Sequence, residues 1–111
     1  MGQIETKLWV SAAVRGFLSQ GTMACVLTKG DAASGLVALK LRLTSGAGAA
    51  LFLQERTDDE TLGWFAVQNG AVLPESDADA YLARRTAQDP DLWVIEVDSA
   101  DGRNPFSEMP L

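Results

Sequence analysis

Apolar and polar residues alternate over residues 92–98 in a way that is typical of a β-strand. One face of this strand is formed by Trp93, Ile95 and Val97. The other face carries Glu96 and Asp98 together with Leu92 and Val94. Because the first set is large and favours β-structure, we expect it to form the centre of the core.

The residues before this strand predict an amphipathic helix. Ser76 is a suitable N-cap, and Asp79 stands three residues further on, as in a capping box. Pro90 disfavours helical geometry at Asp89, so the helix should end by Gln88. Its apolar face is predicted from residues at spacings of three and four, namely Ala78, Tyr81 and Leu82.

A second helical pattern occurs near the N-terminus. Ser11 is a plausible N-cap, and Gly21 is well placed for the C′ position that follows a helix. The apolar face of this helix is predicted to contain Val10, Ala13, Val14, Phe17 and Leu18.

Four segments between the helices are predicted to be strands, at residues 22–29, 36–43, 49–56 and 62–68. In the second of them, the alternation places Lys40 and Arg42 outside. The inward positions are Val37, Leu39, Leu41 and Leu43. The connections between the four strands are short, which favours an antiparallel meander.

The order helix, four strands, helix, strand is an α+β pattern. We expect two layers: a mainly antiparallel sheet of about five strands, with two helices packed on one face. The last strand should lie beside the first and antiparallel to it. The 111 residues indicate a single domain over 1–111. An irregular C-terminal tail is expected over 101–111, where glycine, asparagine and proline accumulate.

The formal charge of −6 is unevenly distributed along the chain. Residues 1–57 hold six Lys/Arg and three Asp/Glu, whereas residues 58–111 hold three and twelve. We favour the interpretation that the positive charges of the first half and the negative charges of the second half complement each other within one fold. The alternative is that the second half forms an acidic face that binds a basic partner. An acidic chain without a basic-aromatic cluster does not predict nucleic-acid binding.

Composition excludes several chemistries. The chain has no histidine, which removes Ser-His-Asp and Cys-His catalysis and imidazole metal ligands. Cys25 is the single cysteine and lies in an apolar run, so it should be buried and inert. We therefore predict no catalytic residue, no metal and no cofactor. No apolar stretch approaches a membrane span, and the N-terminus does not look like a signal peptide, which favours the cytoplasm.

Four basic residues are candidates for a binding site. Arg84 and Arg85 point about 100° apart on the second helix, so one of them could bind a carboxylate or a phosphate. The alternative is that both complement the helix dipole at its C-terminal end. Lys29 and Arg56 would join them if all four side chains converged on one concave surface.

Two carboxylates complete the candidate set. Asp89 and Asp91 flank Pro90 on a rigid turn, where paired carboxylates could share acid and base roles. The alternative is that they terminate the helix and form an ion pair with Arg84 or Arg85.

Three segments resemble a known family of small bacterial proteins, domain of unknown function family 1491. They are FLSQGTMACVLTKGDAASG, LFLQER and ADAYLARRTAQDPDLWVIEVD, and the resemblance spans about residues 10–98. It implies a stand-alone bacterial domain of the cytoplasm, with no established activity or cofactor. It therefore assigns no catalytic residue.

Two classes of function remain open. The first is a non-enzymatic interaction or regulatory domain that pairs with a second copy or with another protein, through an edge strand such as 62–68. The second is a small-molecule or anion-binding protein, or a modest enzyme, that uses the arginines near the end of the second helix.

Overall fold

Helices and strands follow one another along the chain in the predicted order. The computed structural model describes residues 5–59 and 61–106. Its elements are α1 (Thr6–Ser19), β1 (Ala24–Thr28), β2 (Val37–Leu43), β3 (Ala49–Arg56), β4 (Leu62–Ala66), a 3-10 turn (Val67–Gly70), α2 (Glu75–Gln88) and β5 (Trp93–Ser99). The α+β class with two helices and five strands is confirmed.

The five strands form one sheet in the order β1-β5-β2-β3-β4. The last strand lies antiparallel to the first, as predicted, with Ile95 opposite Val26. It also pairs with β2, in parallel, with Ile95 opposite Leu39. The antiparallel meander is therefore confirmed for β2-β3-β4 and wrong for β1-β2. The physical reason is that β5 carries Trp93, Ile95 and Val97 on one face and Val94 on the other, so a position between two strands buries it best.

The helices pack on opposite faces of the sheet, so the prediction that they share one face is wrong. Val10 of α1 packs in a core cluster with Leu39 and Ile95. Leu82 of α2 packs in a second cluster with Ala38 and Val94 among its members. Neighbouring residues of a strand point to opposite faces, so the two clusters lie on either side of the sheet. Because β2, β3 and β5 bury residues on both faces, each face needs a cover, and the result is three layers.

The helix ends differ in part from the predicted caps. Helix α2 follows Pro74 at its N-cap and has no side-chain cap, so Ser76 does not serve as predicted. Helix α1 starts before the predicted cap Ser11, because the backbone N–H of Lys7 donates to the carbonyl of Ala32 at 2.9 Å. Gly21, with φ +81°, has the left-handed conformation expected of a residue that follows a helix.

The start of β5 is fixed by close backbone contacts. A Cβ on Gly30 or Gly35 would lie 2.1 Å from the carbonyl oxygen of Asp91, so neither position has room for a side chain. The Asp31 N–H donates to that same oxygen at 3.0 Å. The indole N–H of Trp93 donates to the Asp31 carbonyl at 2.7 Å, and Trp93 is 4% exposed. Its predicted place in the core is confirmed.

The chain crosses the α1 face after β5. Phe106 lies there among aromatic rings, with its centroid 5.1 Å from that of Trp9, 5.7 Å from Phe17 and 5.8 Å from Trp64. Residues 107–111 of the predicted irregular tail lie outside the described residues. The single-domain and tail assignments stay predictions.

Candidate functional site

An open cleft of about 810 Å³ lies on the α1 face, over strands β3 and β4. Its floor is formed by Phe52 and Trp64, and its rim by Asn69 with Gly70 on one side and residues 101–105 on the other. We call this surface the tail cleft. The cleft exists because α1 packs near β1, at the opposite edge of the sheet, and does not reach β3 and β4. The chain after β5 covers these two strands only in part.

The turn that forms one rim of the tail cleft is strained. Gln68 and Asn69 have φ values of 49° and 58°, and Gly70 follows with 80°. The left-handed conformation costs about 1–2 kcal/mol for a residue other than glycine. These residues end the 3-10 turn Val67–Gly70. Strain of this kind is often found near functional sites.

The polar groups of the opposite rim are partly occupied. The Asp101 carboxylate accepts a hydrogen bond from the Arg103 backbone N–H at 3.0 Å, which holds the turn together. Asn104 accepts one from the Phe106 backbone N–H at 2.9 Å through its side-chain oxygen. The indole nitrogen of Trp64 is buried and has no hydrogen-bond partner among the residues that the structure describes.

Lys40 forms a buried charge cluster under the start of α2. Its side chain is 2% exposed, so the prediction that it faces solvent is wrong. Its Nζ lies 2.7 Å from Asp79, 2.9 Å from Glu75 and 3.2 Å from Glu96. Lys40 and Arg42 lie on the same face of β2, as the alternation predicts, but α2 covers Lys40 on that face.

The carboxylates around Lys40 determine its charge. Burial lowers the pKa of Lys40, but hydrogen bonds to Asp79, Glu75 and Glu96 outweigh burial and raise that pKa above its ordinary value. Lys40 is therefore protonated at neutral pH and cannot act as an amine nucleophile there. The cluster joins α2 to the sheet, which is a structural role.

The structure places the four predicted basic residues at one end of the sheet. Lys29 follows β1, Arg56 ends β3, and Arg84 and Arg85 lie in the last turns of α2. Strands β1 and β3 are separated by β5 and β2, which at about 4.8 Å per step puts them about 14 Å apart. None of the four lines the tail cleft. Arg84 lies over the ring of Tyr81, 5.9 Å from its centroid. Binding by these residues stays a prediction.

The two predicted carboxylates contribute to the turn before β5. The side chain of Asp89 accepts a hydrogen bond from the Asp91 N–H at 3.1 Å. Within the described residues, every salt bridge involves Lys40 or Arg42, so the expected ion pair with Arg84 or Arg85 is not formed there. Their role in ligand binding also stays a prediction.

The edge strand β1 exposes apolar side chains. Met23, just before the strand, is 65% exposed, and Leu27 is 47% exposed. Cys25, which lies between them on the same face, is also exposed, so its predicted burial is wrong. The reason is that α2 lies over β2 and β3 and leaves this side of β1 uncovered.

The described residues contain no group of three or more Cys, Asp or Glu side chains placed to hold a metal ion. No helix among them is long and apolar enough to cross a membrane.

The fold and these surfaces define a small three-layer α+β domain with a helix on each face of a five-stranded sheet. The chain belongs to the family described as "Protein of unknown function (DUF1491)", whose model matches residues 4–107. The resemblance noted in the sequence is confirmed.

Solved structures show the same fold. A crystal structure of a DUF1491 family protein from Caulobacter crescentus CB15 is 35% identical, with a TM-score of 0.78 over 91% of this chain and 92% of that one. An NMR structure of a DUF1491 family protein from the same organism is 35% identical, with a TM-score of 0.81 over 98% and 97%. A solution structure of a protein from A. tumefaciens, 22% identical, has a TM-score of 0.72 over 96% and 92% and supports the fold alone. A search among curated proteins finds no match.

Proposed function

We propose that this protein is a non-enzymatic interaction domain that forms a homodimer through the edge strand β1. The observation that carries this proposal is the uncovered face of β1, where Met23, Cys25 and Leu27 are exposed side by side. Edge strands of monomers are commonly protected by charged residues, proline or a β-bulge. Residues 22–28 contain no charged residue and no proline, and the register of β1 with β5 shifts only between Val26 and Thr28.

A second copy of the chain is the occupant that this edge fits best. Two copies of β1 can pair antiparallel about a two-fold axis at Cys25, which places Met23 of one copy opposite Leu27 of the other. The apolar residues of both copies then lie on the same face of a continuous sheet. The protein carries a net charge of −6, but residues 22–28 bring no charge into this contact, so the two strands do not repel each other.

Charges at the ends of the strand also favour the antiparallel arrangement. Lys29 follows β1, and in the pair it would lie beside the beginning of β1 in the second copy. That beginning lies next to Asp98, whose backbone N–H donates to the Met23 carbonyl at 2.9 Å. The Asp98 carboxylate also lies 3.4 Å from Arg42, so the attraction between lysine and aspartate is a minor contribution beside the apolar contact.

Leu27→Lys tests the proposal by placing a charge on the exposed face of β1. We expect wild type to sediment with twice the 11.8 kDa mass of one chain. The substitution should weaken the dimer by about tenfold or more, because it removes the apolar Leu27 side chain and places a charge opposite the apolar Met23 of the other copy. Analytical ultracentrifugation over a range of concentrations measures both masses.

Phe65→Lys is the matched control on the other edge strand. Phe65 is also 47% exposed, and it lies in β4, on the same face of the sheet as Leu27. This variant should keep the wild-type mass. A monomeric wild type, or equal dissociation by both substitutions, would show that β1 is not the interface.

We also propose the cytoplasm as the location of the protein. The support is Cys25, a free and exposed thiol, which suits a reducing compartment. Fractionation of cells of the native organism tests this location, and recovery of the protein from the periplasm would contradict it.

A further inference from the structure

The tail cleft has a flat aromatic floor. Phe52 is 8% exposed at its base, beside Trp64. The ring of Trp64 stacks on Phe106 at 5.8 Å with an interplanar angle of 15°, so its orientation is fixed by packing. A rigid aromatic surface of this kind binds flat apolar groups at a low cost in side-chain entropy.

One cationic donor lies on the rim of this floor. Arg103 is exposed, and because the described salt bridges all belong to Lys40 or Arg42, its guanidinium is available for a ligand. The indole nitrogen of Trp64 has no hydrogen-bond partner among the described residues, but it is buried, so Trp64 offers a ligand its ring and not its N–H.

The acidic residue of the rim does not form a salt bridge with the Arg103 guanidinium among the described residues. The Asp101 carboxylate accepts hydrogen bonds from the Arg103 backbone N–H at 3.0 Å and from the Ser99 hydroxyl at 3.5 Å. It therefore serves the turn that presents Arg103. The groups left to a ligand are the Arg103 guanidinium and the parts of the Phe52 and Trp64 rings that line the cleft.

We propose that the tail cleft binds a small planar carboxylate. The guanidinium of Arg103 pairs with the carboxylate, since it offers two parallel N–H donors that match the two oxygens. The flat body of the ligand lies on Phe52 and Trp64. The volume of about 810 Å³ is within the usual range for small-molecule sites and has room for a fused two-ring acid. This site is separate from the proposed β1 interface.

Titration of ¹⁵N-labelled protein with benzoate and with 1-naphthoate tests the proposal. The chain has three tryptophans, and the indole signal of Trp64 should move on binding. The Trp93 signal should stay, because its N–H is bonded to Asp31 away from the cleft. We expect dissociation constants of about 1 mM or below for these fragments. Acetate, which lacks the ring, and benzamide, which lacks the charge, should each bind at least about tenfold more weakly.

Arg103→Gln and Arg15→Gln are the matched variants, because both replace an exposed arginine. Arg103→Gln should weaken binding of both acids by about tenfold or more, whereas Arg15→Gln should bind as wild type does. An unchanged Trp93 signal in both variants shows that they are folded. The proposal is overturned if neither acid moves the Trp64 signal at about 10 mM, if Arg103→Gln binds equally well, or if benzamide matches benzoate.

Discussion

Lys40 shows at the scale of a single residue why strand alternation alone does not predict exposure. It occupies a position that would be solvent-facing in a two-layer fold, yet α2 buries it against three carboxylates. Burial of the ammonium is costly, and the surrounding hydrogen bonds offset that cost. Such clusters contribute more to a unique packing of helix on sheet than to total stability.

Removal of the Lys40 charge should destabilise the fold at neutral pH. Lys40→Met keeps most of the apolar stem but leaves Glu96, which is 23% exposed, without its cation. We expect a loss of about 2–3 kcal/mol in the free energy of unfolding, measured by urea denaturation. Arg42→Gln, at a residue 46% exposed, should cost less than about 1 kcal/mol. A smaller loss for Lys40→Met than for Arg42→Gln would contradict the assigned role of Lys40.

The same residue predicts how stability depends on pH. The folded-state pKa of Lys40 lies above the ordinary 10.5, so folding favours the protonated form. This contribution is fully present below pH 10.5 and is lost as pH rises through the folded-state pKa. The stability difference between wild type and Lys40→Met should therefore be constant from pH 7 to about 10 and shrink above that. Urea denaturation at several pH values measures it, and a difference that grows with alkaline pH would be inconsistent.

At the scale of elements, the start of β5 depends on two glycines that allow backbones to meet. Gly30 and Gly35 leave no space for a Cβ beside the Asp91 carbonyl, whereas Gly16 in α1 has open space around it. The Lys29-Gly30-Asp31 and Asp89-Pro90-Asp91 segments are thus parts of one contact that sets the register of the central strand.

The close contact at Gly35 and the open space at Gly16 predict opposite effects on stability for two glycine-to-alanine changes. Gly35→Ala should destabilise the protein by about 2 kcal/mol or more, because the Asp91 loop must move. Gly16→Ala should stabilise it by about 0.5–1 kcal/mol, since alanine favours the helix and meets nothing. Urea denaturation of both variants measures the signs. Equal effects would show that the approach of Gly35 to Asp91 is not important.

Local patterns in the sequence predicted the elements, but they could not predict how the elements cover one another. The pairing of β5 with β1 and the burial of Trp93 were predictable, because they follow from alternation and size. The exposure of Cys25 was not, since it depends on α2 lying over β2 and β3. The tail cleft was equally hidden, because it forms only when Phe106 returns to Trp64.

At the scale of the whole molecule, the two helices are offset as well as opposed. Helix α1 packs near β1 on one face, and α2 packs over β2 and β3 on the other. This arrangement leaves the α2 side of β1 and the α1 side of β3 and β4 without a helix, and it also leaves Phe65 of β4 47% exposed on the α2 side. The proposed dimer interface lies on the first of these surfaces, and the tail cleft lies on the second.

Salt bridges connect the basic half of the chain to the acidic half. Every salt bridge within the described residues joins a cation from the basic half of the chain to a carboxylate from the acidic half. The two halves thus complement each other inside the fold, as the first interpretation of the sequence held. Residues 22–28 themselves carry no charge.

Hydrogen exchange at the two sheet edges tests the role of β1 most directly. In a monomer, the outward N–H groups of β1 and β4 have no strand beside them and exchange at similar rates. If β1 is the dimer interface, its outward amides should exchange at least about tenfold more slowly than those of β4 at about 1 mM protein, and Leu27→Lys should remove that protection. Equally fast exchange at both edges, in wild type and variant alike, would contradict a homodimer formed through β1.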